Sequence, residues 1–522
     1  MRDFEYPGRS PVLATGGMCA TSHPLAAQAA VEMLKAGGNA VDAGIAAAVL
    51  LGLCEPQSTG IGGDCFALVK PAGTDEIHAL NGSGRAPAAI DAGALRAQGP
   101  VIPLTSPHAV TLPGAMAGFA ALSERFGRKG LADSLAPAIH YAEAGIPVAP
   151  RVLRDWKAAE ATLQGAARSH YLMGGAVPQV GQVFRSPGQA EVLRRVAAQG
   201  PKAFYEGEVA EDMLAAVAGA SHTLDDFAGV TADWGSPLTG PYRSRDIAEH
   251  PPNGQGTTAL LLAAILAQFD IAAMDPLGPE RSHIEAEASK LAYDARNRLV
   301  ADPACMADPA ALLQPGLAQE LAALIDPKRA MQQVTNITEA VHRDTVYLCV
   351  VDGDGMALSL IYSIFHSFGS GLASPKFGIL MQNRGAGFTL EEGHPNVVAP
   401  GKRPMHTIIP GMMLHEGRVE MPFGVMGGQY QAAGHARFAS NMLDFGMDPQ
   451  EAIDFPRLFA EKGELQLEAP FPEATRAALA ELGHKVVPAP APIGGAQAIR
   501  ITPEGVLVGG SDPRKDGCAI GY

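Results

Sequence analysis

A predicted β-hairpin near position 350 constrains the fold more than any other stretch of the chain. Residues 345–351 read TVYLCVV, residues 352–355 read DGDG, and residues 356–363 read MALSLIYS. β-Branched and aromatic residues favour strands, and Asp-Gly pairs favour tight turns between antiparallel strands. The pattern therefore predicts two adjacent strands, the first of them buried, and any fold for this chain must contain a sheet around them.

The region before the hairpin is predicted to be mainly helical. Residues 22–56 indicate two packed helices, with Pro24 near the first start, Gly37 and Gly38 closing it, and Asn39 capping the next. The second helix is apolar nearly all round, so we expect it to be central. Residues 60–69 then predict a glycine turn that enters a buried strand.

The rest of the chain divides into a helical middle and a strand-rich end. Residues 130–330 are rich in Ala and Leu with helical periodicity, whereas 407–414 and 419–426 predict strands and 432–446 predicts a helix. Layered α and β structure is expected rather than a Rossmann series of alternating strands and helices.

Composition excludes several classes of function. The 522 residues suggest about three domains at typical domain size, but 47% are apolar and the net charge is −15. A nucleic-acid partner and an anionic membrane surface are therefore disfavoured. The longest apolar run, 44–54, is short of the roughly 20 residues of a membrane span, and residues 1–8 lack the basic and apolar pattern of a signal peptide. We expect a cytoplasmic location and no membrane association.

Common catalytic motifs are absent from the sequence. It contains no GxSxG elbow, no GxxxxGK[ST] loop and no HExxH helix. The six cysteines form no CxxC and are expected to be buried thiols, while the fifteen histidines show no metal-ligand spacing. Neither a metal nor another cofactor is predicted.

The polar stretch 328–344 is predicted to be a loop, and it ends where Thr345 opens the buried strand. Thr345 could be an ordinary strand-forming residue. Alternatively, the chain cuts itself between Asp344 and Thr345, so that Thr345 becomes an amino-terminal nucleophile with its own α-amine as the adjacent base. A chain-terminal amine titrates near pH 8, which suits that role.

Six separated motifs support the second interpretation. From about Gly16 to the last residue, the chain resembles the γ-glutamyltranspeptidase family of amino-terminal-nucleophile (Ntn) hydrolases. The resemblance is carried by the segments CATSHPLAAQAAVEMLKAGGNAVDAGIAAAVLLGLCEPQSTGIGGDCFAL, VTLPGAMAGF, HPPNGQGTTALLLAAIL, DTVYLCVVDGDGMALSLIYS, FGVMGGQYQ and DPRKDGCAIGY.

The resemblance implies a self-processed enzyme. Cleavage before Thr345 would give a large subunit, 1–344, and a small subunit, 345–522, which stay together as one αββα Ntn-hydrolase sandwich of the α+β class. It further implies that Gly427 and Gly428 form an oxyanion hole and that Ser363 supports the nucleophile. The family is compatible with a dimer of such heterodimers.

Two departures from the family pattern concern substrate choice. Family members that bind a γ-glutamyl group hold its ammonium with an aspartate just before a phenylalanine, but Gly387 precedes Phe388 here. An asparagine that serves the same end of the substrate is replaced by Phe365. The resemblance therefore implies a smaller pocket without an anion for an α-amino group.

A carboxylate clamp is retained in altered form. Arg85 stands two places after the family's arginine, and His406 and Thr407 occupy the positions of two serines. Arg85 could bind a carboxylate bidentately with His406 and Thr407 as donors, or it could pair with an internal carboxylate. Asn383, in the same segment as Gly387, is a further candidate for substrate binding.

A short amide acid without an amino group fits these features. The segments QNRGAGF, HPN and PGKRPMHTIIPGM resemble the family branch that includes oxamate amidohydrolase of purine degradation. The leading hypothesis is hydrolysis of oxamate, or a closely similar acid, to the carboxylic acid and ammonia. The alternatives are a glutathione hydrolase or γ-glutamyltransferase, a cephalosporin-type acylase, and an uncleaved inactive member of the family.

Overall fold

The computed structural model describes residues 8–331 and 345–522, so Asp344 lies outside the described residues. Seventeen α-helices are found there. They are α1 (Pro24–Lys35), α2 (Ala40–Cys54), α3 (Ala92–Gln98), α4 (Ala115–Phe126), α5 (Leu131–Ala144), α6 (Pro150–Ala159), α7 (Gly165–Tyr171), α8 (Pro187–Gln199), α9 (Lys202–Tyr205), α10 (Glu208–Ala216), α11 (Leu224–Ala228), α12 (Gly256–Leu266), α13 (Pro279–Leu299), α14 (Leu317–Ala322), α15 (Gln431–Leu443), α16 (Pro449–Asp454) and α17 (Glu473–Glu481).

The described residues also form nineteen strands. They are β1 (Val12–Ala14), β2 (Gly17–Thr21), β3 (Asp64–Lys70), β4 (His78–Gly82), β5 (Ile146–Pro147), β6 (Val183–Phe184), β7 (Asp233–Gly235), β8 (Leu238–Tyr242), β9 (Arg245–Glu249), β10 (Val346–Asp352), β11 (Ala357–Ser363), β12 (Gly411–His415), β13 (Arg418–Met426), β14 (Leu458–Glu461), β15 (Glu464–Leu467), β16 (Val486–Pro488), β17 (Gly495–Ile501), β18 (Leu507–Ser511) and β19 (Cys518–Gly521).

Two seven-stranded sheets carry the fold. The first has the order β1-β18-β17-β13-β12-β9-β8 and the second the order β19-β2-β10-β11-β3-β4-β7. A buried apolar layer that includes Phe66, Tyr347 and Met412 fills the space between them. Helices including α1, α2, α4 and α5 cover the outer face of the second sheet, and α12, α13 and α15 cover that of the first. The architecture is therefore the αββα sandwich expected from the sequence.

The β10–β11 hairpin forms as predicted, with boundaries shifted by one residue. Val346 pairs with Tyr362 across the antiparallel ladder. The Asp352 carboxylate accepts hydrogen bonds from the N–H groups of Asp354 and Met356 in the turn and of Ala40 at the start of α2. The turn residue that starts the hairpin thereby fixes it to the central helix.

The two predicted helices near the amino terminus are also confirmed. Asn39 accepts hydrogen bonds from Val41 and Asp42, and the Asp42 side chain accepts one from the Asn39 N–H, which is a complete capping box. Every residue of α2 is buried, as its apolar circumference predicts. Strand β3 confirms the strand expected after the glycine turn.

The helical interpretation of residues 130–330 was wrong in part, because strands β5 to β9 lie there. Strands β8 and β9 are five residues each and extend the first sheet by pairing β9 with β12. Their conformation depends on that long-range pairing rather than on a local pattern. The expectation for 407–414 was shifted for a similar reason, since β12 begins only at Gly411. Among the cysteines, Cys305 is exposed rather than buried.

No helix among the described residues combines the length and the apolar character that a membrane crossing requires.

Candidate active site

The end of the second sheet places polar side chains in one row. Thr345 precedes Val346 and therefore comes opposite Ser363, which in turn pairs with Asp64 of β3. Because side chains alternate along a strand, Thr345 faces the same way as Tyr347, into the space between the two sheets. All three polar residues are fully buried. The predicted nucleophile and its predicted supporting hydroxyl are thus neighbours at one edge of the interior.

Ser363 is the meeting point of this row. Its Oγ lies 3.5 Å from Thr345 Oγ1, accepts a hydrogen bond of 2.9 Å from the Phe365 N–H, and lies 3.4 Å from Arg384 Nη2. Phe365 has a positive φ of 80°, which is strained for a bulky side chain. The strained backbone turns the N–H of Phe365 back onto the serine, so that two N–H groups face the serine oxygen.

Arg384 is a buried guanidinium without a carboxylate partner. It is 0% exposed, and its Nη1 donates to Thr407 Oγ1 at 3.1 Å. Its plane lies 4.2 Å from the centre of the Phe365 ring. Nε has no hydrogen-bond partner, and no ion pair within 4 Å is found for Arg384 among residues 8–331 and 345–522. Burial lowers the pKa of this guanidinium, which reflects the cost of a charge without a counter-ion.

Asp64 joins four segments around the site. One oxygen accepts hydrogen bonds from the N–H groups of Gly84 and Gly114 and from Gln382, and the other lies 3.0 Å from His406 Nε2. These contacts hold the ends of β3 and β4 against the segment that carries Arg384. The aspartate therefore organises the pocket wall.

The contacts of His406 change the role expected for it. Burial and the nearby Arg384 lower the pKa of His406 to about 3, so the imidazole is neutral at neutral pH. With its Nε2 proton donated to Asp64, Nδ1 carries a lone pair and has no partner. His406 therefore presents an acceptor at Nδ1 rather than the donor that a substrate carboxylate would need.

Arg85 and Asn383 are engaged elsewhere. Arg85 lies 3.3 Å from Asp233 and 3.7 Å from Asp302, and its side chain is 43% exposed. This matches the internal pairing considered as its alternative. The Asn383 amide donates to Leu104 O and accepts from the N–H of His366, both at 3.1 Å, so it ties two loops together.

Gly427 and Gly428 form a turn at the end of β13, just before α15. Their φ values are 121° and 56°, and a Cβ on Gly427 would lie 2.7 Å from Gly494 Cα. Only glycine fits there. Gln255 Nε2 donates to both Gly428 O, at 3.1 Å, and Thr407 O, at 2.6 Å. This amide connects the turn to the threonine that Arg384 contacts.

Two residues of this group were missed in the sequence. Arg384 is the one charged residue in QNRGAGF, and Asp64 is the one charged residue in GIGGDCFALV. A lone charge inside an uncharged motif that enters the core was the available signal, because such a charge needs a specific partner.

One cluster resembles a metal site in composition. His283, Glu287 and His484 bring potential ligand atoms within 4.8 Å of one another. However, Lys290 Nζ lies 2.6 Å from Glu287, and His283 bonds His484 and the Asp326 carbonyl at 2.8 Å each. These donors and acceptors already satisfy one another.

The sandwich and the Thr345 row together define an Ntn hydrolase. Residues 26–522 match the family model for gamma-glutamyltranspeptidase, and the chain belongs to that family. It is 35% identical to a glutathione hydrolase-like proenzyme of Bacillus subtilis (strain 168) and 35% identical to an oxamate amidohydrolase proenzyme of Klebsiella pneumoniae. Each alignment covers 98% of this chain and 99% of the relative.

A solved structure shows the same architecture over the whole chain. The cephalosporin acylase of Bacillus halodurans superposes with a TM-score of 0.93 at 39% identity and covers 100% of this chain and 99% of its own. The chain is therefore an enzyme of this hydrolase family, and its relatives are named for different amide substrates.

Proposed function

We propose that the protein is a self-processing amidohydrolase that cleaves a short amide acid lacking an α-amino group, with oxamate as the leading candidate. Arg384 is the observation that carries this proposal. A buried guanidinium with no counter-ion in the described residues is costly unless a ligand supplies the anion. A substrate carboxylate would form bidentate hydrogen bonds there.

The geometry favours a short substrate. Arg384 and Thr345 both approach the same Ser363 oxygen, at 3.4 and 3.5 Å. An acid held by Arg384 can therefore present its amide carbon to Thr345 only if few bonds separate the two groups. Oxamate joins them directly. Gly387 contributes no carboxylate for an ammonium group, which disfavours a γ-glutamyl substrate.

In the proposed mechanism, the chain first cuts between Asp344 and Thr345 and frees the threonine amine. That amine takes the hydroxyl proton as Oγ1 attacks the amide carbonyl. The N–H groups of the Gly427–Gly428 turn stabilise the developing oxyanion. The C–N bond breaks, the proton passes to the leaving nitrogen, and ammonia departs. Water then hydrolyses the ester and restores the hydroxyl.

Ser363 supports the nucleophile in this mechanism. The N–H groups of Phe365 and Arg384 face the serine oxygen, so its own proton can point at Thr345 Oγ1 and stabilise the attacking oxygen. The present separation of 3.5 Å is long for a hydrogen bond between hydroxyls. We expect it to shorten when substrate is bound, as catalytic hydrogen bonds often do.

A cephalosporin-type acylase is the second candidate, favoured by the similarity to the Bacillus halodurans enzyme. Both functions use the same nucleophile and a carboxylate on Arg384, and they differ in the length of the acyl group.

Three substrates separate the candidates. Purified protein is analysed on a denaturing gel and then assayed with oxamate, glutaryl-7-aminocephalosporanic acid and γ-glutamyl-p-nitroanilide, with Thr345→Ala as the inactive control. The proposal expects two bands, Thr345 at a new amino terminus, and ammonia from oxamate. A single stable band, or hydrolysis of γ-glutamyl-p-nitroanilide with none of oxamate, would overturn it.

A further inference from the structure

A second buried arginine lies behind the Gly427–Gly428 turn. Arg296 of α13 is 0% exposed, and no ion pair within 4 Å is found for it in the part of the chain that the structure describes. Burial lowers the pKa of its guanidinium. The plane stacks 4.6 Å from the Tyr293 ring centre. A charge kept at this cost without a counter-ion calls for a role in its hydrogen bonds.

Those bonds go to two glutamines that flank the turn. Arg296 Nη1 donates to Gln255 Oε1 and to Gln429 Oε1, both at 2.6 Å. Because a guanidinium can only donate, it fixes which end of each amide faces it. The Gln255 Nε2 group must then point the other way, towards the carbonyls of Gly428 and Thr407.

Gln255 therefore joins the two sides of the pocket. One side is the Gly428 carbonyl in the oxyanion turn, and the other is the Thr407 carbonyl, whose side chain receives Arg384. The Tyr293 hydroxyl donates to the Gln429 carbonyl in the same turn. Arg296 thus contacts the turn from behind through one residue of the turn and one residue that spans the pocket.

We infer that Arg296, acting through Gln255, is a positioning residue that holds the Gly427–Gly428 turn at a fixed distance from the segment that binds the substrate carboxylate. This inference rests on the proposed function of that turn as the oxyanion hole. Arg296 contacts neither substrate nor nucleophile. It sets the orientation of an amide that connects two groups acting on opposite ends of a small substrate.

The test compares matched arginine variants. Arg296→Lys keeps the charge but removes the planar donor that sets the glutamines. Arg281→Lys is the control, because Arg281 is equally buried on the same helix and bonds Glu285 and Asn441 away from the turn. Gln255→Glu is a third variant, which keeps an acceptor for Arg296 but loses the donors to Gly428 and Thr407.

Two measurements are made on each processed protein. Hydrogen exchange followed by mass spectrometry reports protection of residues 427–431, and steady-state kinetics with the best of the three substrates separates kcat from KM. In Arg296→Lys and Gln255→Glu, we expect exchange in this segment to rise about tenfold and kcat to fall about 10-fold to 100-fold, with KM within about threefold. Arg281→Lys should change neither.

Unchanged exchange at 427–431 in Arg296→Lys would overturn the inference, as would faster exchange with an unchanged kcat. An equal loss of kcat in Arg281→Lys would show a general effect of losing a buried arginine and would also overturn it. If the wild-type protein hydrolyses none of the three substrates, the proposed function fails, and the exchange measurement alone still decides whether Arg296 holds the turn.

Discussion

Replacing Arg384 should affect activity and stability in opposite directions. In the substrate-free protein, Arg384 holds a buried charge whose hydrogen bonds go only to the hydroxyls of Ser363 and Thr407. Arg384→Met removes that charge from an apolar setting, and replacing buried charges by well-packed apolar groups is often neutral or stabilising by about 1 to 4 kcal/mol. We therefore expect a free energy of unfolding that is equal or higher.

The same variant should lose most of its activity. Two of the five guanidinium N–H groups are used by the two hydroxyls, which leaves three for a substrate carboxylate. Truncating one partner of a buried, hydrogen-bonded charge pair costs about 2 to 5 kcal/mol. A loss near 4 kcal/mol corresponds to a decrease of roughly 1000-fold in kcat/KM. Arg384→Lys should lie between, because it keeps the charge without the fork.

Denaturant unfolding and initial-rate kinetics check both halves of this prediction. Wild-type protein should gain stability in oxalate, and Arg384→Met should not. Arg281→Met is the matched control, since Arg281 is paired with Glu285 and breaking a buried ion pair costs about 3 to 5 kcal/mol. If Arg384→Met were destabilised as much as this control and kept its kcat/KM within threefold, Arg384 would be a structural residue and the argument would fail.

Three further predictions concern the nucleophile, the pocket wall and acid stability. Thr345→Ala should give one uncleaved band on a denaturing gel and no turnover; two bands would place the nucleophile elsewhere. Asp64→Asn should lower the free energy of unfolding by about 2 to 3 kcal/mol in urea, because an amide group would face N–H donors, whereas an unchanged urea midpoint would remove Asp64 as the organiser. Burial lowers the pKa of His406 to about 3 and those of His250 and His23 to about 4, so these side chains bind protons more readily once unfolded. Their contribution is present above pH 6.5 and is lost as the pH falls towards 4, and a midpoint independent of pH over that range would contradict this.

The hairpin and the helices α1 and α2 could be predicted because their signals are local. Asp-Gly pairs, an asparagine cap and an apolar circumference act within a few residues. The strands β8 and β9 could not, since five-residue segments take their conformation from the sheet they join. The αββα arrangement itself came from the resemblance and was confirmed by the structure.

The site was predictable in part for the same reason. Thr345 and Ser363 lie on adjacent strands of one hairpin, so their proximity follows from its register. The choice between Arg85 and Arg384 depends on which arginine finds a carboxylate in the folded chain, and sequence order does not contain that information. Arg85 meets Asp233, and Arg384 meets only hydroxyls.

The order of strands in the second sheet determines when a cut before Thr345 can be made. Strand β2 lies between β19 and β10, and β11 lies beside β3, so strands from either side of the cut alternate within one hydrogen-bonded layer. Neither piece could complete that layer alone. Folding must therefore precede cleavage, and afterwards the two polypeptides can separate only by unfolding. A gene split at codon 345 would have to produce both halves together and fold them jointly.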